Sequence, residues 1–164
     1  MDRKMKTVIS IVGAAAVFVL LSVAAYYLGG TIIQGTFSAK SGITYAQWEE
    51  HYLWLVAKMG GVGFLMFMVW YLLARFGLKI STPPKMGKRL LWIIIGGIDA
   101  GLCLMLPYLF RMFDSVLSRI FSPLLPVIYL VLYVVIGYWV LSIFFTPAPY
   151  KYVPFLAVKR GGKK

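Results

Sequence analysis

Four runs of apolar residues, each near twenty residues long, constrain this chain more than any other feature. A helix needs about 20 residues to cross a hydrocarbon layer about 30 Å thick. The runs lie at about 7–28, 53–74, 90–110 and 124–145. In hydrocarbon every backbone N–H and C=O must be bonded within the protein, so runs of this kind are helices. The expectation is an all-α integral membrane protein with four transmembrane helices. The runs take up most of the 164 residues, so a single polytopic membrane domain over 1–164 is expected.

The connections are short and uneven. Residues 29–52 read as an external segment. Its end, Thr44-Tyr45-Ala46-Gln47, has the spacing of a capping box and predicts a helix starting near Tyr45, outside the apolar run. Trp48, Tyr52 and Trp54 then suit the belt of aromatics at a membrane interface. Residues 75–89 form a basic loop in which Pro83-Pro84 makes a stiff turn. After the third run, Phe110, Phe113, Leu117, Ile120 and Phe121 recur every three or four residues, which predicts a short helix lying in the interface and ended at Ser122-Pro123. Pro147 and Pro149 close the fourth run, and 146–164 is a basic tail. At the other end, Arg3, Lys4 and Lys6 precede an apolar run longer than a signal-peptide core and carrying Tyr26 and Tyr27, so an uncleaved helix is expected.

Basic residues set the orientation. The N-terminal flank, the loop 75–89 and the tail hold thirteen of the seventeen Lys and Arg. Lys40, Lys58, Arg111 and Arg119 hold the other side. The positive-inside bias puts both termini and the middle loop in the cytoplasm, and the compact size with short loops suggests a bacterial inner membrane.

The same charge count narrows function. A net charge of +12 would suggest nucleic acid in a soluble protein, but no basic stretch here is long enough to fold a reader. Anionic lipid headgroups are the better partner for basic flanks of this kind. One cysteine, Cys103, excludes an internal disulfide and a Cys-x-x-Cys pair; one histidine, His51, excludes bis-His haem ligation. No phosphate loop, His-Glu-x-x-His or Gly-x-Ser-x-Gly occurs. No cofactor, metal or catalytic residue is assigned, and the chain reads as a non-enzyme.

The residues singled out are those that join helices. Asp99 falls about ten residues into the third run, roughly 15 Å from either edge at 1.5 Å per residue. An ionised carboxylate there costs several kcal/mol unless paired or hydrated, so Asp99 is either interhelical glue or part of an ion path. Tyr133 and Tyr138 in the fourth run lie at depths that suit them as its partners. Gly97 and Gly101 form a Gly-x-x-x-Gly, and Gly96 with Ala100 runs parallel to it; small residues let another helix, of this chain or a second one, approach closely. Lys58 sits near the outer end of the second run, where its stem can snorkel to the headgroups. Gly60 and Gly61 below it suit close packing. Glu49, Glu50 and His51 are adjacent in a helix, point about 100° apart and so do not converge; a solvated helix start is expected.

The function expected on these grounds is a non-enzymatic membrane subunit of a larger assembly, with other membrane proteins as partners in an oligomer or hetero-complex. Two other classes remain open: a small oligomeric channel or transporter using Asp99, and a membrane immunity or exclusion factor. The first 75 residues are similar in layout to the membrane anchors of conjugative coupling ATPases, which also have two helices around an outer segment rich in aromatics (Tyr45, Trp48, Tyr52 and Trp54 here). The similarity covers under half the chain, and the ATPase half has no counterpart. It implies a place in secretion or conjugation machinery.

Overall fold

The structure is a computed structural model that describes residues 3–34, 42–77, 85–119 and 121–146. The Pro83-Pro84 turn, Ile120 and the basic tail beyond Thr146 lie outside the described residues. Every regular element within them is helical. Helix α1 is Arg3–Gln34. Helix α2 is Tyr45–Leu72 and continues with π winding through Leu73–Gly77. Helix α3 is Lys85–Phe113 and the short α4 is Ser115–Arg119. The last helix, α5, is Leu124–Phe145, whose middle, Leu130–Val140, is also π-wound. Four stretches are long and apolar enough to cross a membrane: Met5–Gln34, Tyr45–Phe76, Gly87–Phe113 and Leu124–Phe145.

The start of α2 follows from its capping box. Thr44 Oγ1 accepts from the Gln47 amide at 3.3 Å, and Gln47 Oε1 accepts from the Thr44 amide at 3.1 Å, so two otherwise orphaned donors are satisfied. Other boundaries move. α1 passes the expected end at 28 and reaches Gln34. Gly29 does not break it but is needed there, because a Cβ at that position would run into the Tyr52 phenol and come within 2.9 Å of Leu125. α3 extends beyond 90–110 at both ends and passes through Pro107. The expected interfacial helix from Phe110 to Phe121 is split: Phe110 and Phe113 belong to α3, and α4 begins anew at Ser115. Phe113 stands 88% exposed while Leu117 is buried.

Four long helices pack in a rhombus. α2 and α5 are in contact along its short diagonal; α1 packs on both from one side and α3 on both from the other. Each outer helix buries a narrow seam. On α1 it is Ala14, Phe18, Leu21 and Ala25, and on α3 it is Trp92, Ile95, Asp99 and Cys103, each at three- and four-residue steps. On α5 the buried pairs are Leu132 with Gly137 and Tyr133 with Tyr138, spaced by five. Bonding from i to i+5 brings residues five apart toward one face, so the π winding is what turns both tyrosines inward.

Phe18 marks the centre of the α1–α2–α5 contact. Its ring meets Phe64 edge-on at 5.6 Å and stacks on Tyr133 at 6.4 Å. Two glycines make room for it. A Cβ on Gly137 would approach the Phe18 ring to 2.7 Å, and one on Gly63 to 3.1 Å. Gly137→Ala is therefore expected to lower the melting temperature in detergent by the usual cost of overpacking, about 1–3 kcal/mol. Gly97→Ala, which meets nothing within 4 Å, should leave it unchanged or raise it. Thermal unfolding of the two variants side by side checks this.

Candidate functional site

Polar side chains gather at two places. The first is a cleft of about 380 Å³ between the start of α2 and the α3–α4 corner. Glu50, His51, Trp54 and Lys58 project into it from successive turns of α2. Phe110, Phe113, Asp114 and Leu117 form the facing wall. The Lys58 ammonium lies 4.8 Å from the centre of the Phe110 ring, a cation–π distance.

Asp114 holds this corner together with both oxygens. Oδ1 accepts from the amides of Val116 and Leu117 at 2.9 and 3.1 Å, which caps α4. Oδ2 lies 2.6 Å from His51 Nδ1. Partial burial pushes the Asp114 carboxyl up, but the His51 hydrogen bond and the two amides outweigh it, and the group sits below its ordinary value. With Nδ1 committed, His51 turns only Nε2 to any other group, and among the described residues that atom has no hydrogen-bond partner. Among the described residues the ionisable groups of the cleft are Glu50, His51, Lys58 and Asp114. The His51–Asp114 pair could move a proton on a bound water.

The second place is inside the bundle. Asp99 is fully buried, with 0% of its surface exposed. Its Oδ1 accepts a weak bond from the Cys103 thiol at 3.8 Å, one turn on. Its Oδ2 has no partner among the described residues. The two tyrosines expected to meet Asp99 are engaged elsewhere. Tyr138 donates to the Trp92 carbonyl at 2.7 Å. Tyr133 reaches Ser22 Oγ at 3.2 Å and the Val56 carbonyl at 3.4 Å. Trp92 Nε1 in turn donates to Ser142 Oγ, and Trp70 Nε1 to Thr146 Oγ1, both at 3.0 Å.

The glycines separate into two sets. Gly96 lies under the Tyr138 ring, where a Cβ would come within 2.8 Å, and Gly60 lies against Ser22 and Tyr133. Gly61, Gly97 and Gly101 have open space where a side chain would be. For α3 this follows from the helix itself. Residues two apart are about 200° apart around the axis, so once Asp99 points in, Gly97 and Gly101 point out. Lys58 belongs to the cleft and not to Asp99.

No protein family, no curated protein and no solved structure is detectably similar to the chain. Among the described residues no three His, Cys, Asp or Glu side chains form a metal-binding group.

Sequence reasoning missed the His51–Asp114 pair because its partners are 63 residues apart. A local signal existed: Asp114 stands directly before the run Ser115-Val116-Leu117, the place of an N-cap. Since the Asp114 carboxyl is held below its ordinary value, its contribution is present above the unfolded-state pKa of about 4 and is lost as pH falls through that region to the folded value. Asp114→Asn keeps the cap but not the charge. It should cost less than about 1 kcal/mol at neutral pH, because His51 is 42% exposed and water screens the pair. Asp114→Ala loses the cap too and should cost about 1 kcal/mol more. Melting temperatures of both variants between pH 3 and pH 7 check the order and the acid dependence, which Asp114→Asn should flatten.

Proposed function

We propose that this chain is a non-enzymatic, multi-pass subunit of a larger membrane assembly, working by helix contacts with other membrane proteins. The apolar outer faces support insertion. Val8, Val12 and Val19 on α1, Leu65 on α2, Ile94, Ile98 and Met105 on α3, and Phe144 on α5 all face outward. Such surface is unfavourable in water and at home in lipid. The orientation rests on the basic residues, with both termini and the loop 75–89 on the cytoplasmic side.

The observation that carries the reading is the two-sidedness of α3. An ion or proton path would need Asp99 to meet water; the burial of Asp99, with no exposed surface and its one hydrogen bond from Cys103, favours a role in packing. The opposite face offers Gly97 and Gly101, uncovered, between Ile94, Ile98 and Met105. An apolar face with a small-residue groove at its centre is suited to receive a helix from another protein. The basic segments add a charged rim on the cytoplasmic side, for anionic headgroups and for acidic surfaces of partners.

Gly101→Leu is expected to leave the melting temperature of the isolated chain unchanged, because nothing lies within 4 Å of that Cβ. It should also remove the proteins that co-purify with the wild type from native membranes in mild detergent. Loss of stability in isolation, or full retention of partners, would contradict the assignment. Orientation is checked separately. In a Cys103→Ala background, Ser118→Cys should react with an impermeant thiol reagent on intact cells and Ser81→Cys should not.

A further inference from the structure

A second cavity, of about 540 Å³, runs between α1 and α2 on the side away from α3. Its size is within the range of small-molecule and lipid-chain sites. Small residues open it: Ala15 and Ser22 on α1, Ala57, Gly60 and Gly61 on α2. Ser22 offers little polarity to an occupant, since its hydroxyl donates to the Phe18 carbonyl at 2.9 Å and is approached by Tyr133. The remaining wall is aliphatic and aromatic.

Its length and its polar end identify an occupant. Along α1 the wall runs from Ala15 to Tyr27, and along α2 from Phe64 to Leu53. These are twelve and eleven residue steps, about 16 to 18 Å at 1.5 Å per step, close to half of a hydrocarbon layer about 30 Å thick. The cavity thus covers one leaflet, the reach of one acyl chain. A helix crossing the whole membrane would use only half of its length there. At the mouth, Tyr26 donates a hydrogen bond to Glu49. Glu49 is one turn before Leu53 and pairs with no Lys or Arg among the described residues. Tyr27 sets its ring edge-on to Tyr26, with centroids 5.4 Å apart. The other ring contact of Tyr26 among the described residues is a stack on Tyr52, so the charge at the mouth is that of Glu49, which attracts a cation and repels an acidic headgroup.

We infer that the α1–α2 cavity binds one acyl chain of a phospholipid of the outer leaflet, whose ammonium headgroup sits at Glu49 and Tyr26. The inference rests on the membrane reading above for insertion and sidedness.

The test uses the full chain reconstituted in vesicles of phosphatidylethanolamine with phosphatidylglycerol, extracted in mild detergent and weighed by native mass spectrometry. The wild type should retain one phosphatidylethanolamine in preference to phosphatidylglycerol by about fivefold, the scale of a half-exposed charge pair. Glu49→Gln should abolish the preference and keep the lipid. Gly61→Leu starts its side chain in open space at the cavity wall and should lose lipid of both kinds. Equal retention of the two lipids by the wild type overturns the headgroup assignment. Undiminished retention by Gly61→Leu overturns the cavity assignment. A protein-sized adduct from a photo-crosslinker at Gly61 in native membranes would show a partner helix there instead, and would also overturn it. Failure to insert into vesicles at all would instead sink the membrane reading, and this inference with it.

Discussion

The bundle depends on polar and aromatic groups of α5 that reach into its neighbours. Helices with apolar surfaces gain little from leaving lipid for one another, so their association rests on close packing and on hydrogen bonds across helices. α5 takes part in several of these. Tyr138 donates to the Trp92 carbonyl of α3, and Ser142 accepts from the Trp92 indole; Thr146, just past the end of α5, accepts from the Trp70 indole of α2; Tyr133 meets α1 and α2 at Ser22 and Val56. Each such bond is worth on the order of 1 kcal/mol. Together they fix which face of every helix looks inward. The π winding of Leu130–Val140 is part of the device, because it puts Tyr133 and Tyr138 on one side.

From that fixed rotation the rest of the molecule follows. α3 is turned so that Trp92, Asp99 and Cys103 face α5. Gly96 then has to be glycine, because the Tyr138 ring stacks over Trp92 at 5.7 Å and lies against the Gly96 backbone. Gly97 and Gly101 are left on the outside. On the other flank, Phe18 fills the space left by Gly63 and Gly137, while Gly61 opens the α1–α2 cavity. Small residues thus serve two ends in one chain: some admit an internal ring, others leave a surface vacant for something the chain does not supply.

Much of the fold could be read from the residues, and the failures have physical causes. The capping box at Thr44 and the limits of the last helix at 124 and 145 were visible because local chemistry decides them. The inward turn of Asp99 was foreseeable from its cost in hydrocarbon. The outward turn of Gly97 and Gly101 then needed only the helix angle. The partners of Tyr133 and Tyr138 were not foreseeable, because a 3.6-residue period does not apply where the helix is π-wound. Nor was the His51–Asp114 contact, which tertiary packing creates between distant segments. The carboxylate of Glu49 looked like a solvated helix start, and only its hydrogen bond to Tyr26 on α1 ties it to a cavity.

We propose that α3 crosses a membrane with a buried inner face around Asp99 and an apolar outer face. A spin-label scan from Trp92 to Met105 in proteoliposomes, reading collision with oxygen and with a water-soluble nickel reagent, tests it most directly. Oxygen accessibility should rise at 94, 98 and 105 and fall at 92, 95 and 103, with the nickel reagent excluded throughout. Access of the nickel reagent at 95 and 103 would reveal an aqueous route to Asp99 and contradict the account.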